Sequence, residues 1–199
     1  MSELQRDEVE DAFAHLWKVG CVDEDWDAWV ACFTPDVDYY DSFWGWFHGR
    51  DEVQHWIDAV MKGVPEVYTV LEWYRIDGDI VTFHCQNRRD NPDTEGPAYF
   101  DFPSLSIVRY AGDGLFSSEE DFWELHGARE TGIAYAAAAE RAGASSVDAR
   151  LSRRHWPAEP AWARIDGERA LPSWLANEGI RPVLKPRELY AQLGRARWA

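Results

Sequence analysis

The chain has 199 residues, a formal net charge of −16 and an isoelectric point near 4.7. A protein this acidic repels nucleic acid and anionic membranes, so neither is an expected partner. Apolar residues make up 46% and aromatic residues 15%, with twelve Trp, which is far from the composition of disordered chains and predicts a packed, aromatic core.

The cysteines and the N-terminal segment favour a cytoplasmic protein. Cys21, Cys32 and Cys85 form no CxxC pair and are odd in number, which predicts reduced, buried thiols without a disulfide. The opening segment MSELQRDEVED is acidic and lacks an apolar run, so we expect no signal peptide. No stretch approaches the roughly 18 apolar residues of a membrane helix, so no membrane span is predicted.

The first third of the chain changes repeatedly between helical and extended patterns. Apolar residues recur at spacings of three and four residues in three stretches, which predicts helices. Asp25 and Asp51 stand where the N-cap residues of the second and third helices are expected. The predicted elements are a helix over 9–17, a helix over 26–32, a turn over 34–36, a strand over 37–41, an aromatic loop over 42–50 and a helix over 52–61.

From residue 67 onward the pattern is mainly that of strands. Four segments rich in β-branched and aromatic residues alternate with turns that contain glycine, which predicts two consecutive hairpins. The predicted strands cover residues 67–76, 80–88, 99–110 and 115–125, and an Ala-rich helix follows over 126–142. Helices followed by an antiparallel meander indicate the α+β class.

Charge divides the chain near residue 144. Residues 145–199 carry ten basic against six acidic residues, whereas residues 1–144 carry ten against thirty. We expect one domain over residues 1–144 and a basic, Trp- and Pro-containing extension over 145–199. The extension is too short for a robust core of its own, so we expect it to wrap over the acidic body or a neighbouring subunit.

The order of elements, with the wording FTPDV at residues 33–37 and Gly49 ahead of the third helix, resembles the nuclear-transport-factor-2-like superfamily in its SnoaL-like branch. The resemblance covers residues 5–126. It implies a cone-shaped α+β fold in which N-terminal helices pack on a curved antiparallel sheet around a pocket for a small hydrophobic molecule. The exposed face of such a sheet needs a cover, so we expect a homodimer.

Members of this superfamily include ketosteroid isomerases, dehydratases, epoxide hydrolases, polyketide cyclases, dioxygenase β subunits and non-catalytic proteins. By resemblance, Asp41 stands at the isomerase's proton-shuttling acid and Asp121 at the acid on the last strand of epoxide hydrolases. His84 is similar to a dehydratase histidine, with Tyr39 or Tyr40 near that enzyme's tyrosine. These positions imply general acid–base chemistry.

At two places the sequence departs from enzymes of this superfamily, and each departure disfavours one activity. Trp17 and Ser106 stand near the isomerase's helix-one tyrosine and its oxyanion-donating acid, which disfavours a steroid isomerase. The hydrolase's Arg-x-Asp is replaced by residues 104–106, Ser-Leu-Ser, which disfavours epoxide opening. The strand phase of Asp101 opposes that of Ser106, which disfavours a place in the pocket for this acid.

The favoured hypothesis is a cofactor-independent lyase or isomerase, of the dehydratase or cyclase kind, acting on a polycyclic or terpenoid-like carbonyl compound. In it His84 is the general base, Asp41 or Asp121 the partner acid, and a tyrosine, with Tyr39 favoured, the electrophile. The residues expected to contact substrate are Trp17, Tyr40, Trp44, Trp46, Phe102, Ser106 and Trp123.

The alternative to catalysis is a purely structural role for the same residues. His84 could be satisfied by neighbours in the sheet, Asp41 could cap the following loop, and Asp121 lies in an acidic run of the kind that often faces solvent. The alternative functions are a non-catalytic ligand-binding or scaffold protein, a dioxygenase β subunit and an epoxide hydrolase-like enzyme. Nucleotide-binding, acyl-serine and zincin motifs are absent from the sequence, and no metal site is predicted.

Overall fold

A computed structural model describes residues 3–145 of the chain, with side chains from residue 6 onward. The basic extension and its expected wrapping over the body therefore lie outside the described residues.

The described chain contains four α-helices and six strands, which confirms the α+β class. The elements are α1 (Glu3–Trp17), α2 (Trp26–Ala31), β1 (Phe33–Asp41), β2 (Gly45–His48), α3 (Gly49–Gly63), β3 (Tyr68–Asp77), β4 (Ile80–Asp90), β5 (Tyr99–Gly112), β6 (Leu115–Trp123) and α4 (Leu125–Ala142). A π-helical turn, Lys18–Val22, extends α1.

The six strands form one curved sheet in the order β2-β1-β6-β5-β4-β3. The two hairpins predicted from the sequence supply β3 to β6, and β1 then pairs with β6 in parallel. All other neighbours are antiparallel. β1 and β6, the first and last strands in the chain, therefore lie side by side in the interior of the sheet.

The helices α1 to α3 cover one face of the sheet, which we call the inner face. The ring of Phe13 on α1 lies 5.0 Å from that of Tyr74 and 5.2 Å from that of Phe83. Trp29 on α2 packs at 5.9 Å against Tyr39 of β1. Aromatic rings thus connect the helices to the sheet, and each buried ring contributes strongly to stability.

Gly20 allows the π-helical turn to approach α2. A Cβ atom at this position would lie 2.3 Å from Cδ1 of the Trp29 indole, well inside contact distance. Asp25 caps α2 as predicted, because its Oδ1 accepts a hydrogen bond from the Ala28 amide at 3.0 Å. The lack of a side chain at Gly20 and the cap at Asp25 together place the Trp29 indole over the sheet.

Three local predictions differ from the structure. β1 begins at Phe33 rather than at residue 37, so the turn predicted over 34–36 falls inside the strand. The pairing of β1 with β6 shifts register between Phe33 and Asp38, which accommodates this irregular segment. The predicted loop over 42–50 contains β2, which pairs with β1. α3 begins at Gly49, so Asp51 lies in its first turn, and the Glu52 carboxylate instead accepts the His48 amide at 2.8 Å.

Candidate functional site

A cavity of about 340 Å³ lies between the helices and the inner face of the sheet. Its walls are mainly apolar and aromatic, from α1, α2, α3 and the strands. The polar and charged side chains on the walls are fewer. They are Glu24, Tyr39, Asp41, Tyr68, Thr69, Asn87, Arg89, Ser104, Ser106, Glu119 and Asp121. An apolar cavity with a few convergent polar groups is typical of a site for a small molecule.

Two carboxyl groups of β6 meet a phenol and a hydroxyl inside this cavity. Tyr39 donates its O–H to Oδ2 of Asp121, and Ser106 donates its O–H to Oδ1 of the same carboxylate. Glu119 lies two residues before Asp121 and therefore on the same face of the strand. We refer to Tyr39, Ser106, Glu119 and Asp121 as the acid cluster.

Strand registry explains why these four residues meet. Ser106 of β5 lies directly across from Asp121, and Tyr39 of β1 lies across from Glu119. Alternation along each strand then directs all four side chains to the inner face. The parallel β1–β6 pairing is essential, because it brings together residues 82 positions apart.

Burial controls the protonation of the acid cluster. It raises the pKa of Asp121 to about 6, although hydrogen bonds from Ser106 and Tyr39 act in the opposite direction. Burial and then the negative charge of Asp121 raise the pKa of Glu119 well above its usual value. The same two effects raise the pKa of the Tyr39 phenol. Near neutral pH, Asp121 is the member of the cluster that ionises, and Tyr39 stays protonated.

Asp41 lies beside the acid cluster and is fully engaged by other donors. Its Oδ1 accepts hydrogen bonds from the backbone amides of Phe43 and Trp44, each at 2.8 Å. Its Oδ2 accepts a bond from the indole Nε1 of Trp123 at 2.9 Å. Asp41 therefore holds the loop after β1 and one aromatic wall of the cavity in place.

The prediction that His84 faces the cavity is wrong. Phe83 and Cys85 of β4 line the cavity, so His84 points to the outer face of the sheet. There its Nδ1 lies 2.7 Å from Oε2 of buried Glu72, and its ring stacks on Trp73 with centroids 5.6 Å apart.

The seven residues predicted to contact substrate divide between the two faces. Those that line the cavity are Trp17, Trp44, Phe102, Ser106 and Trp123. Tyr40 and Trp46 do not line it, because they form a cross-strand pair on the outer face with ring centroids 4.9 Å apart. Asp101 is buried in an ion pair with Arg88 at 3.0 Å, away from the cavity.

Three charged residues of the cavity, Glu24, Arg89 and Glu119, were not among the predicted site residues. Glu119 shares the alternation of Asp121, which could have identified it. Arg89 is six residues after Phe83 on β4, so both side chains lie on the same face of the strand and both line the cavity. The sequence alone does not show that this face is the inner one. Within residues 3–145, no group of three or more His, Cys, Asp or Glu side chains could hold a metal ion.

The fold is of the nuclear-transport-factor-2-like type. The chain belongs to the SnoaL-like domain family, whose model matches residues 7–118. No curated protein sequence matches it significantly. In the described part of the chain, every helix is too short or too polar to cross a membrane.

Solved structures with the same fold have low sequence identity to this chain. A SnoaL-like protein from Jannaschia sp. CCS1, named as a candidate polyketide cyclase, is 17% identical with a TM-score of 0.53, over 66% of this chain and 94% of that one. An LEH-like epoxide hydrolase from M. tuberculosis is 16% identical with a TM-score of 0.52, over 68% and 96%. An NTF2-like protein of unknown function from Burkholderia pseudomallei K96243 is 18% identical with a TM-score of 0.51, over 65% and 95%. These likenesses establish the fold.

Proposed function

We propose that the chain is a cofactor-independent lyase or isomerase, of the dehydratase or cyclase kind, that acts on a small hydrophobic carbonyl compound. The observation that supports this proposal is the acid cluster, in which a carboxylate with a pKa of about 6 lies in an apolar cavity and accepts two hydroxyl donors. A base is most effective when its pKa lies near the working pH.

Asp121 is the general base in this proposal. It takes a proton from the carbon next to the substrate carbonyl, which leaves an enolate. Once Asp121 is protonated, Tyr39 can turn its O–H toward the enolate oxygen and stabilise the charge there. In an isomerase the proton returns from Asp121 to another carbon, and in a dehydratase Glu119 protonates the departing hydroxyl. No cofactor is needed for either outcome.

Two predicted roles change in this mechanism. Asp41 becomes a positioning residue, because both of its oxygens already accept hydrogen bonds from Trp123 and the loop after β1. His84 has no role, because β4 carries it on the outer face of the sheet. The general base therefore comes from β6 rather than β4.

Hydrogen–deuterium exchange into substrate carbon tests the proposal without knowledge of the natural substrate. A panel of polycyclic methyl ketones and β-hydroxy ketones is incubated with the protein in D₂O, and deuterium next to the carbonyl is measured by mass spectrometry. We expect catalysed exchange that Asp121→Asn reduces by about 10²-fold or more. Glu120→Gln is the matched control, since Glu120 immediately precedes Asp121 on β6 but its side chain belongs to the opposite face of the strand. Equal exchange by Asp121→Asn and the unaltered protein would refute the assignment.

A non-catalytic ligand-binding protein is the second candidate, favoured by the apolar and aromatic lining of an open cavity. The exchange experiment separates the two functions. Ketones that bind, as followed by quenching of the cavity tryptophans, but exchange no faster than in buffer would support a binding protein.

We also propose that the outer face of the sheet pairs with a second copy of the chain. Trp46 and Phe122 are 57% and 39% exposed there, on either side of Tyr40. Light scattering is expected to give a dimer, and Trp46→Glu with Phe122→Glu a folded monomer. A monomer for the unaltered protein at all concentrations would contradict this pairing.

A further inference from the structure

We propose that Arg89 and Asn87 form a recognition site for an anionic oxygen of the ligand, such as a carboxylate or an acidic enol. The site is a second end of the cavity that holds the acid cluster. The inference rests on the proposed function only in placing a ligand in that cavity.

Arg89 has hydrogen-bonding capacity that the described residues leave unused. The residue is 8% exposed, and its Nε donates to Glu66 at 3.1 Å. Its Nη1 is buried and has no hydrogen-bond partner within residues 3–145. Leaving a buried donor of this kind unsatisfied costs about 1–3 kcal/mol, and more for a charged group. A ligand oxygen that accepts from the guanidinium would remove this cost.

Asn87 supplies a second donor on the same wall. It lies two residues before Arg89 on β4, so both side chains share the inner face, and both line the cavity. In the described part of the chain, the Asn87 side chain has no hydrogen-bond partner. An amide N–H beside a guanidinium suits an oxygen that accepts more than one hydrogen bond.

Charge makes the two ends of the cavity different. Arg89 is the only basic side chain among the described residues that line it, and the acidic side chains that line it are Glu24, Asp41, Glu119 and Asp121, of which the last three lie in or beside the acid cluster. An anionic group is therefore favoured beside Arg89 and disfavoured beside the acid cluster. This difference fixes the direction of a bound ligand and leaves its neutral carbonyl near Asp121.

Strand registry gives the separation of the two ends. Phe83 lies across from Ser106, which lies across from Asp121. Arg89 is six residues further along β4, which corresponds to about 20 Å of extended strand. The reach of the Arg89 and Asp121 side chains shortens the gap. A ligand that contacts both ends is elongated, with an acidic group at one end and a ketone near the other.

Binding of two matched naphthalene probes tests this inference on the full chain. One probe carries an acetyl group and a carboxylate at opposite ends of the ring system, and the other has a neutral carboxamide in place of the carboxylate. Dissociation constants are measured by calorimetry at mildly alkaline pH. We expect the acid to bind about tenfold or more tightly than the amide, because an arginine–carboxylate pair is a charge-assisted, bidentate contact.

Variants of Arg89 and of its ion-pair partner Glu66 are expected to change the affinities for the two probes by different amounts. Arg89→Met should weaken binding of the acid by about 10- to 100-fold and of the amide by less than about 2-fold. Glu66→Gln keeps the guanidinium but removes its competing carboxylate, so it should retain or tighten binding of the acid. Should Arg89→Met fail to fold, Asn87→Leu carries the same expectation with a smaller loss.

Several results would overturn the inference. These are equal affinity of the unaltered protein for the two probes, no saturable binding of the acid at about 1 mM, or equal losses for both probes in Arg89→Met. Failure of this inference is distinguishable from failure of the proposed function. Asp121→Asn should reduce deuterium exchange by about 10²-fold or more while keeping the preference for the acid. Loss of that preference in Arg89→Met concerns the recognition site, whereas exchange that Asp121→Asn leaves unchanged concerns the proposed function.

Discussion

Replacing Tyr39 with Phe removes one of the two hydroxyl donors to Asp121 and leaves the aromatic packing of the ring against Trp29 and Trp56. A hydrogen bond to a charged group contributes about 2 kcal/mol. At 1.36 kcal/mol per pKa unit this corresponds to about 1.5 units. The lost bond had favoured the ionised form, so the pKa of Asp121 should rise from about 6 to about 7.5.

NMR of carboxyl-labelled aspartate measures this shift directly, with the Asp121 signal assigned by its loss in Asp121→Asn. Tyr40→Phe is the matched control, because Tyr40 is the next residue of β1 and packs against Trp46 on the outer face. It should leave the titration of Asp121 unchanged. A pKa for Asp121 that stays the same or falls in Tyr39→Phe would show that Tyr39 does not stabilise the ionised carboxylate.

Three further predictions concern the free energy of unfolding. The free energy of unfolding should fall by at most about 3 kcal/mol as pH rises from about 4 through the Asp121 pKa of about 6. The reason is that the Asp121 carboxyl group binds its proton more strongly in the folded state than in the unfolded chain. Urea unfolding of Asp121→Asn, measured over the same pH range, should lack this decrease. Asp41→Ala should cost about 1–2 kcal/mol in urea unfolding, since the indole it accepts from loses its partner while the loop amides can turn to water. Gly20→Ala should cost about 1–3 kcal/mol through its collision with Trp29, whereas Gly63→Ala, with open space around its Cβ, should be neutral or slightly stabilising.

Long, strongly periodic elements were predictable from the sequence, because one pattern repeats over many residues. The first helix, the two hairpins and the last helix are confirmed. Their boundaries agree within about two residues, except that α1 begins at Glu3 rather than at residue 9. β2 was not predictable, because four residues that begin with Gly45 and are followed by Gly49 match a loop as well as a strand. Its existence depends on pairing with β1, which is a contact outside the segment itself.

Part of the candidate site was predictable from strand alternation together with the resemblance to known enzymes. On β6 the alternation grouped Asp121 with Trp123, and both line the cavity. On β4 both faces carry polar residues, so alternation separates His84 from Arg89 without showing which of them is inside. Packing of Phe83 against Phe13 of α1 decides this, and that contact is tertiary. The same reason explains why Arg89 was missed.

The parallel pairing of β1 with β6 has a consequence for how the chain is made. Residues of β1 leave the ribosome about 80 residues before those of β6, an interval on the order of ten seconds at cellular rates of synthesis. Until β6 arrives, β1 has only β2 as a neighbour and its other edge is unpaired, which is a known hazard for aggregation. Because Tyr39 and Asp121 belong to these two strands, nascent chains acquire the acid cluster only when the centre of the sheet closes.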